Sequence, residues 1–125
     1  MEELILQGSA MSPEAIYDGN GVLKITGRAI PDNALTMFDP LKKWVDKYKE
    51  KTILLDINVE YLNTSSSMQL YMILQVLDAK EEIEEVKVIW HYEEDDEDHY
   101  ETGLTYEEKL NRITFQYHRE IEPAA

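Results

Sequence analysis

Apolar residues recur at two periods along this 125-residue chain, and each change of period marks an element boundary. Residues 3 to 7 suit a short first strand. Ala15 to Tyr17 and Val22 to Thr26 flank Asp18-Gly19-Asn20-Gly21, residues that tolerate the positive φ angles a hairpin turn demands. Ala34, Phe38, Leu41, Val45 and Tyr48 then recur at spacings of four and three, which predicts an amphipathic helix over most of residues 33 to 49. Pro40 falls inside it, so the helix is expected to kink there or to restart with Asp39 as N-cap and Pro40 as its first residue. Thr52 to Val59 reads as a largely buried strand. Ser66 to Ile83 reads as a helix with Leu70, Ile73, Leu74 and Leu77 inward and a capping-box spacing over Ser66-Ser67-Met68-Gln69. Val86 to Tyr92 supplies another strand, residues around Asp98 to Leu110 a third helix, and Ile113 to His118 a final strand.

A hairpin followed by alternating helices and strands predicts an α/β protein with a mixed sheet. Its N-terminal hairpin is antiparallel and its C-terminal half is built from strand–helix–strand crossovers. One domain over residues 1–125 accommodates all of it, and 43% apolar residues suffice for a core. Glu122-Pro123-Ala124-Ala125 reads as a frayed tail.

Charge narrows the function classes. With 26 acidic against 12 basic side chains and a formal charge of −14, the surface repels nucleic-acid backbones and anionic lipid, so neither is an expected partner. The absence of cysteine excludes disulfides, thiolate zinc sites and thiol catalysis. Met1-Glu2-Glu3 is acidic and precedes only a short apolar stretch, unlike a secretory leader, and no stretch reaches membrane-spanning length; a cytoplasmic location is the expectation.

The densest chemistry lies at Tyr61-Leu62-Asn63-Thr64-Ser65-Ser66-Ser67, where four successive hydroxyls sit between a strand and a helix. Helix capping accounts for one or two of them. Nucleophilic catalysis lacks a base nearby in sequence, and a phosphate-binding loop would need glycines and a lysine that this segment does not have. A phosphate attached at a helix start, by contrast, meets unpaired N–H groups and the positive end of the helix dipole. Met68, Tyr71 and Met72 follow at once; core packing explains such residues, and so does a partner surface beside a modification site. The acidic run Glu93 to Asp98 invites a divalent metal with His91 or His99, but it lacks EF-hand spacing, and a charge run of this kind is usually a solvated loop or a helix N-terminus. His91 and His118 alternate within strand patterns and are accounted for as ordinary sheet residues.

Tyr61-Leu62-Asn63-Thr64-Ser65-Ser66 resembles the hallmark of the SiaC family of bacterial regulatory phosphoproteins. Gly27-Arg28, Pro31-Asp32-Asn33, Phe38-Asp39-Pro40-Leu41 and Trp44 resemble the family's first block, and Trp90-His91-Tyr92 with the acids after it resembles a later one. Ala29-Ile30 departs from the serine and tyrosine that the family often carries. The resemblance implies a fold akin to anti-sigma-factor antagonists and no enzymatic activity. It also implies a cognate kinase that phosphorylates Thr64, a PP2C-type phosphatase that reverses this, and a diguanylate cyclase as the output, which places the chain in cyclic di-GMP and biofilm signalling. Asn63, Ser65 and Ser66 would shape the loop and cap, with Ser65 the next candidate acceptor.

The leading reading is therefore a non-enzymatic partner switch governed by Thr64, requiring no cofactor or metal. The competing readings are a divalent-metal protein or hydrolase using the acidic run with His91 or His99, and an unregulated interaction module using Met68 and Met72.

Overall fold

The computed structural model describes residues 1–121, so the expected fraying of Glu122 to Ala125 lies outside the described residues. Its elements run β1 (Leu4–Leu6), β2 (Glu14–Tyr17), β3 (Val22–Ala29), α1 (Ala34–Asp46), β4 (Thr52–Leu62), α2 (Thr64–Asp78), β5 (Glu85–Glu93), α3 (Glu97–Lys109) and β6 (Thr114–Glu120). The six strands form one sheet in sequence order, antiparallel from β1 to β3 and parallel from β3 to β6. This is the mixed α/β sheet with an N-terminal hairpin that the chain's periodicity predicts. Gly19 and Gly21 adopt φ angles of 90° and 86° in the hairpin turn, and Asp18 Oδ1 accepts from the Asn20 N–H at 2.9 Å.

Each parallel crossover advances one strand in the same direction. With right-handed connections this puts α1, α2 and α3 on a single face of the sheet. Burial agrees: Ile53, Leu55, Ile57 and Val59 of β4 and Val86, Val88 and Trp90 of β5 are sealed under the helices, while the alternate residues Asp56, Asn58, Lys87 and His91 face away. The helices contribute Phe38, Leu41, Val45, Leu70, Ile73, Leu74 and Leu77 to the same core.

Three local expectations are corrected. Helix α1 neither restarts nor is capped at Asp39; Asn33 caps it by accepting the Thr36 N–H at 3.1 Å, and Asp39 pairs with Lys43 one turn on at 3.0 Å. Pro40 is tolerated because it and Thr36 both lie on the solvent side, where water can serve the Thr36 carbonyl that proline leaves without a donor. Helix α2 begins two residues earlier than its apolar stripe suggests, and Asn63 rather than Ser66 is its N-cap, accepting the Ser66 N–H at 2.8 Å. It also ends at Asp78, whereas Ile83 prolongs the helical period only because the following loop buries it completely.

Helix α3 packs against β5 through an absent side chain. A Cβ on Gly103 would stand 2.8 Å from Cδ1 and Nε1 of Trp90. That indole is fully buried, donates from Nε1 to the His99 carbonyl at 3.0 Å, and stacks on the His99 ring at 4.7 Å. In a helix Gly→Ala ordinarily gains about 1 kcal/mol, but forcing a methyl onto a rigid core ring costs about 1–3 kcal/mol. Gly103→Ala is expected to lower the urea unfolding midpoint, with a net loss of up to about 2 kcal/mol. A raised midpoint would show that α3 can slide away at no cost.

Candidate functional site

The β4–α2 junction is assembled from two separate stretches of the chain. The Asn63 N–H donates to the Ala29 carbonyl at 3.0 Å and its Nδ2 to the Pro31 carbonyl at 3.3 Å, while its Oδ1 caps α2. Asn63 thus ties the turn after β3 to the start of α2 and holds the first helical turn in place. Arg28 lies over the Tyr61 ring at 5.2 Å and reaches Glu60 at 3.5 Å, which continues the same tie on the surface.

The four hydroxyls are not equivalent. Ser66 is completely buried and its Oγ has no hydrogen-bond partner. Ser67 Oγ is engaged with the Tyr106 hydroxyl at 2.6 Å, and that hydroxyl donates to the Ser67 carbonyl at 2.7 Å. Burial pushes the Tyr106 phenol up to about 12, despite the Ser67 hydrogen bond acting the other way. Only Thr64 and Ser65 of the four are exposed, and only Thr64 of these two lines the adjoining groove. The inward stripe of α2 buries Ser66 with Leu70, Ile73, Leu74 and Leu77, leaving the first two residues outside it.

That groove, about 500 Å3, runs between α2 and α3. Met68 and Tyr71 form its wall with Tyr106, and Asp98, Glu101 and Lys109 bring charge from α3. Met68 is 57% exposed and Met72 38%, whereas Tyr71 is half-buried with its ring 5.6 Å from that of Tyr106. Tyr61 and Leu104 add further exposed apolar surface to the molecule. Of these exposed apolar side chains, Met68 borders the groove itself.

The acidic run has a different fate from a metal loop. Asp96 is the N-cap of α3, accepting the His99 N–H at 3.0 Å, and Glu97 and Asp98 occupy its first turn, where the helix dipole favours them. His99 is more than nine-tenths buried against Trp90. Burial holds its imidazole below the usual histidine range, against the opposing pull of Asp96 and of a hydrogen bond to the His91 backbone. His99 therefore serves the core, and the run does not gather it into a ligand set.

The structure does gather histidines that sequence spacing leaves apart. His91 and His118 stand opposite one another in the parallel β5–β6 register, with ring centroids 5.0 Å apart. His91 bridges two carboxylates, Nδ1 to Glu120 Oε1 at 2.7 Å and Nε2 to Asp56 Oδ1 at 2.5 Å. Near them, at the carboxyl ends of the parallel strands, a cavity of about 320 Å3 is bordered by His91, His99, Asp96 and Glu120. The one available signal was strand alternation, which puts His118 and Glu120 on one face of β6; strand order was needed to add His91 and Asp56 to it.

The model of the SiaC family of regulatory phosphoproteins matches residues 6–120. An uncharacterized protein of Pseudomonas aeruginosa strain UCBPP-PA14 is 30% identical over 98 residues, covering 74% of this chain and 78% of its own length. Among solved structures, SiaC of Pseudomonas aeruginosa superposes with a TM-score of 0.80 at 27% identity, covering 94% of this chain and all of that one. The diguanylate cyclase SiaD in complex with its activator SiaC, from the same organism, matches with a TM-score of 0.79 at 27% identity over 92% of this chain and 99% of that one.

Proposed function

The chain belongs to the SiaC family of regulatory phosphoproteins, and from that premise we propose that it is a partner switch whose state is the phosphorylation of Thr64. In its unmodified form it binds and activates a diguanylate cyclase; a cognate kinase disables it and a PP2C-type phosphatase restores it. The observation that carries this reading is the unequal fate of the four hydroxyls. Ser66 is buried, Ser67 is bonded to Tyr106, and Thr64 stands exposed at the first turn of α2 beside a groove walled by Met68 and Tyr71. Ser65 is exposed as well but does not line the groove, which makes it the secondary acceptor. A phosphate on Thr64 adds about −1.5 to −2 charges where the helix dipole tolerates it and where a docked partner would have to cover it.

No helix among the described residues is long and apolar enough to cross a membrane. The −14 charge suits a protein partner with a basic surface and disfavours anionic lipid. We place the switch in the cytoplasm, where kinases and diguanylate cyclase domains act.

The test is intact mass and phosphopeptide mapping of the protein from its native host, with and without PP2C-type phosphatase. One phosphatase-sensitive phosphate on Thr64, absent from Thr64→Ala, is the expected result. Equal phosphorylation of the same peptide in Thr64→Ala would move the acceptor elsewhere. A chain that stays unmodified across growth conditions would leave a fixed interaction module built on Met68 and Met72.

A further inference from the structure

We propose that the face of the sheet turned away from the helices carries a site for one divalent transition-metal ion, with zinc the best fit, formed by His91, His118 and Glu120. Asp56 orients His91 from behind. The site is independent of the Thr64 switch and of the acidic run Glu93 to Asp98.

The backbone builds it. On β5 the residues alternating with buried Val86, Val88 and Trp90 point outward, and His91 is among them. On β6, Tyr117 points to the helices and bonds Glu107 of α3 at 2.9 Å, so His118 and Glu120 take the opposite face. The parallel register sets His118 directly beside His91 and Glu120 two residues further along, while β4 brings Asp56 to the other flank. One ligand atom from each of His91, His118 and Glu120 lies within 4.8 Å of the others. Glu120 Oε1 is 2.7 Å from His91 Nδ1 and 3.7 Å from His118 Nε2. Tetrahedral zinc with its usual bond lengths holds neighbouring ligand atoms about 3.3 Å apart, a spacing these two distances bracket.

Hydrogen-bond accounting points to a cation. A neutral imidazole has one N–H and one lone pair, yet His91 faces a carboxylate at each nitrogen. If Nε2–H donates to Asp56, the Nδ1 lone pair meets Glu120 unless a cation lies between them. A second proton on His91 would also satisfy this pair; a metal differs in drawing in His118, an exposed ring whose Nε2 stands 3.7 Å from the same Glu120 oxygen. A metal ion uses all three groups, and it leaves Asp56–His91 in the carboxylate–histidine–metal arrangement that fixes the tautomer and strengthens the ligand. Two imidazoles and one carboxylate suit zinc and leave a fourth coordination position open. The ion would also offset the two negative charges of Asp56 and Glu120. It would pin edge strand β6 to β5, with β4 behind it.

Calorimetric titration of the full chain with zinc, and cobalt absorption spectroscopy on the same protein, test this. One zinc per chain at micromolar affinity or tighter is expected, with the intense visible bands of four-coordinate cobalt. His118→Ala removes an exposed side chain, and circular dichroism should show the fold intact. The metal affinity of that variant and of Glu120→Gln should fall by at least about 10- to 100-fold, the range that loss of a mere supporting residue produces and that Asp56→Asn should also show. Asp95→Asn, in the acidic run, should bind as the parent does. Absence of stoichiometric binding would overturn the site. Binding that survives His118→Ala but is lost in Asp95→Asn would overturn it in favour of the acidic run.

Discussion

Phosphorylated at Thr64, the chain is expected to bind the diguanylate cyclase proposed as its partner about a hundredfold more weakly than in the unmodified form, a loss of about 3 kcal/mol. The phosphate carries about −1.5 to −2 charges and would stand in the groove that also holds Asp98 and Glu101. A partner seated on Met68 and Tyr71 must strip water from that phosphate or stay away, and either outcome destabilises the complex. The fold itself should scarcely respond. Thr64 is exposed at a helix start, so the folded-state effect of the phosphate stays within about 1 kcal/mol. Calorimetry with phosphorylated and phosphatase-treated protein against the purified cyclase, paired with urea unfolding of each form, separates the two quantities. Thr64→Ala should keep the unmodified affinity. Equal affinities for the two forms would remove Thr64 from control of docking, even if it is the acceptor.

Asp78→Ala is expected to destabilise the protein by about 3 kcal/mol, a large effect for a residue outside the apolar core. The Asp78 carboxylate closes the C-terminal end of α2 against the turn before β6. Its Oδ1 accepts the Arg112 N–H at 2.7 Å and the Ile113 N–H at 3.2 Å, and its Oδ2 accepts the Asn111 N–H at 3.0 Å. The Arg112 guanidinium fastens the other side, donating to the Asp78 carbonyl at 3.2 Å, the Lys80 carbonyl at 2.7 Å and the Ile83 carbonyl. Hydrogen bonds to a charged acceptor are worth about 1.5–3 kcal/mol each, and three that share one partly exposed group fall short of their sum. Asp78→Asn keeps an acceptor oxygen but loses the charge and one bond, so it should cost about half as much. Urea denaturation of both variants measures this, and a loss below about 1 kcal/mol for Asp78→Ala would mean that water replaces the carboxylate freely.

Local pattern made most of the fold legible. Alternation in Thr52 to Val59 and Val86 to Tyr92, and the stripes Phe38-Leu41-Val45 and Leu70-Ile73-Leu74-Leu77, depend only on which face is buried, and that is written into residue type. Sequence pattern and structure part where two local signals compete. Asn63 and Ser66 are both good caps, and the choice fell to Asn63 because its backbone and amide also reach Ala29 and Pro31 across the sheet. Pro40 breaks helices in isolation, yet here the unserved carbonyl faces solvent and Phe38, Leu41 and Val45 are anchored in the core. Ile83 carried a helical period into a loop because buried loops and buried helices look alike when only hydropathy is read.

The amino-acid sequence by itself determined the element order, the inward stripes of α1 and α2 and the mixed sheet, because these follow from local chain preference and nearest-neighbour periodicity; the hydroxyl motif was legible through its resemblance to the family. Tertiary structure decided which of those hydroxyls reaches solvent. It set Tyr106, distant in sequence, on Ser67, and left Thr64 at the mouth of a groove that exists only where α2 meets α3. It also decided that Asp56, His91, His118 and Glu120 share one patch, since strand order and parallel register bring together residues up to 64 positions apart (120 − 56) that no local spacing connects. Side-chain chemistry is a property of the residue, but a site is a property of distance, and distance between remote residues is settled only when the sheet closes.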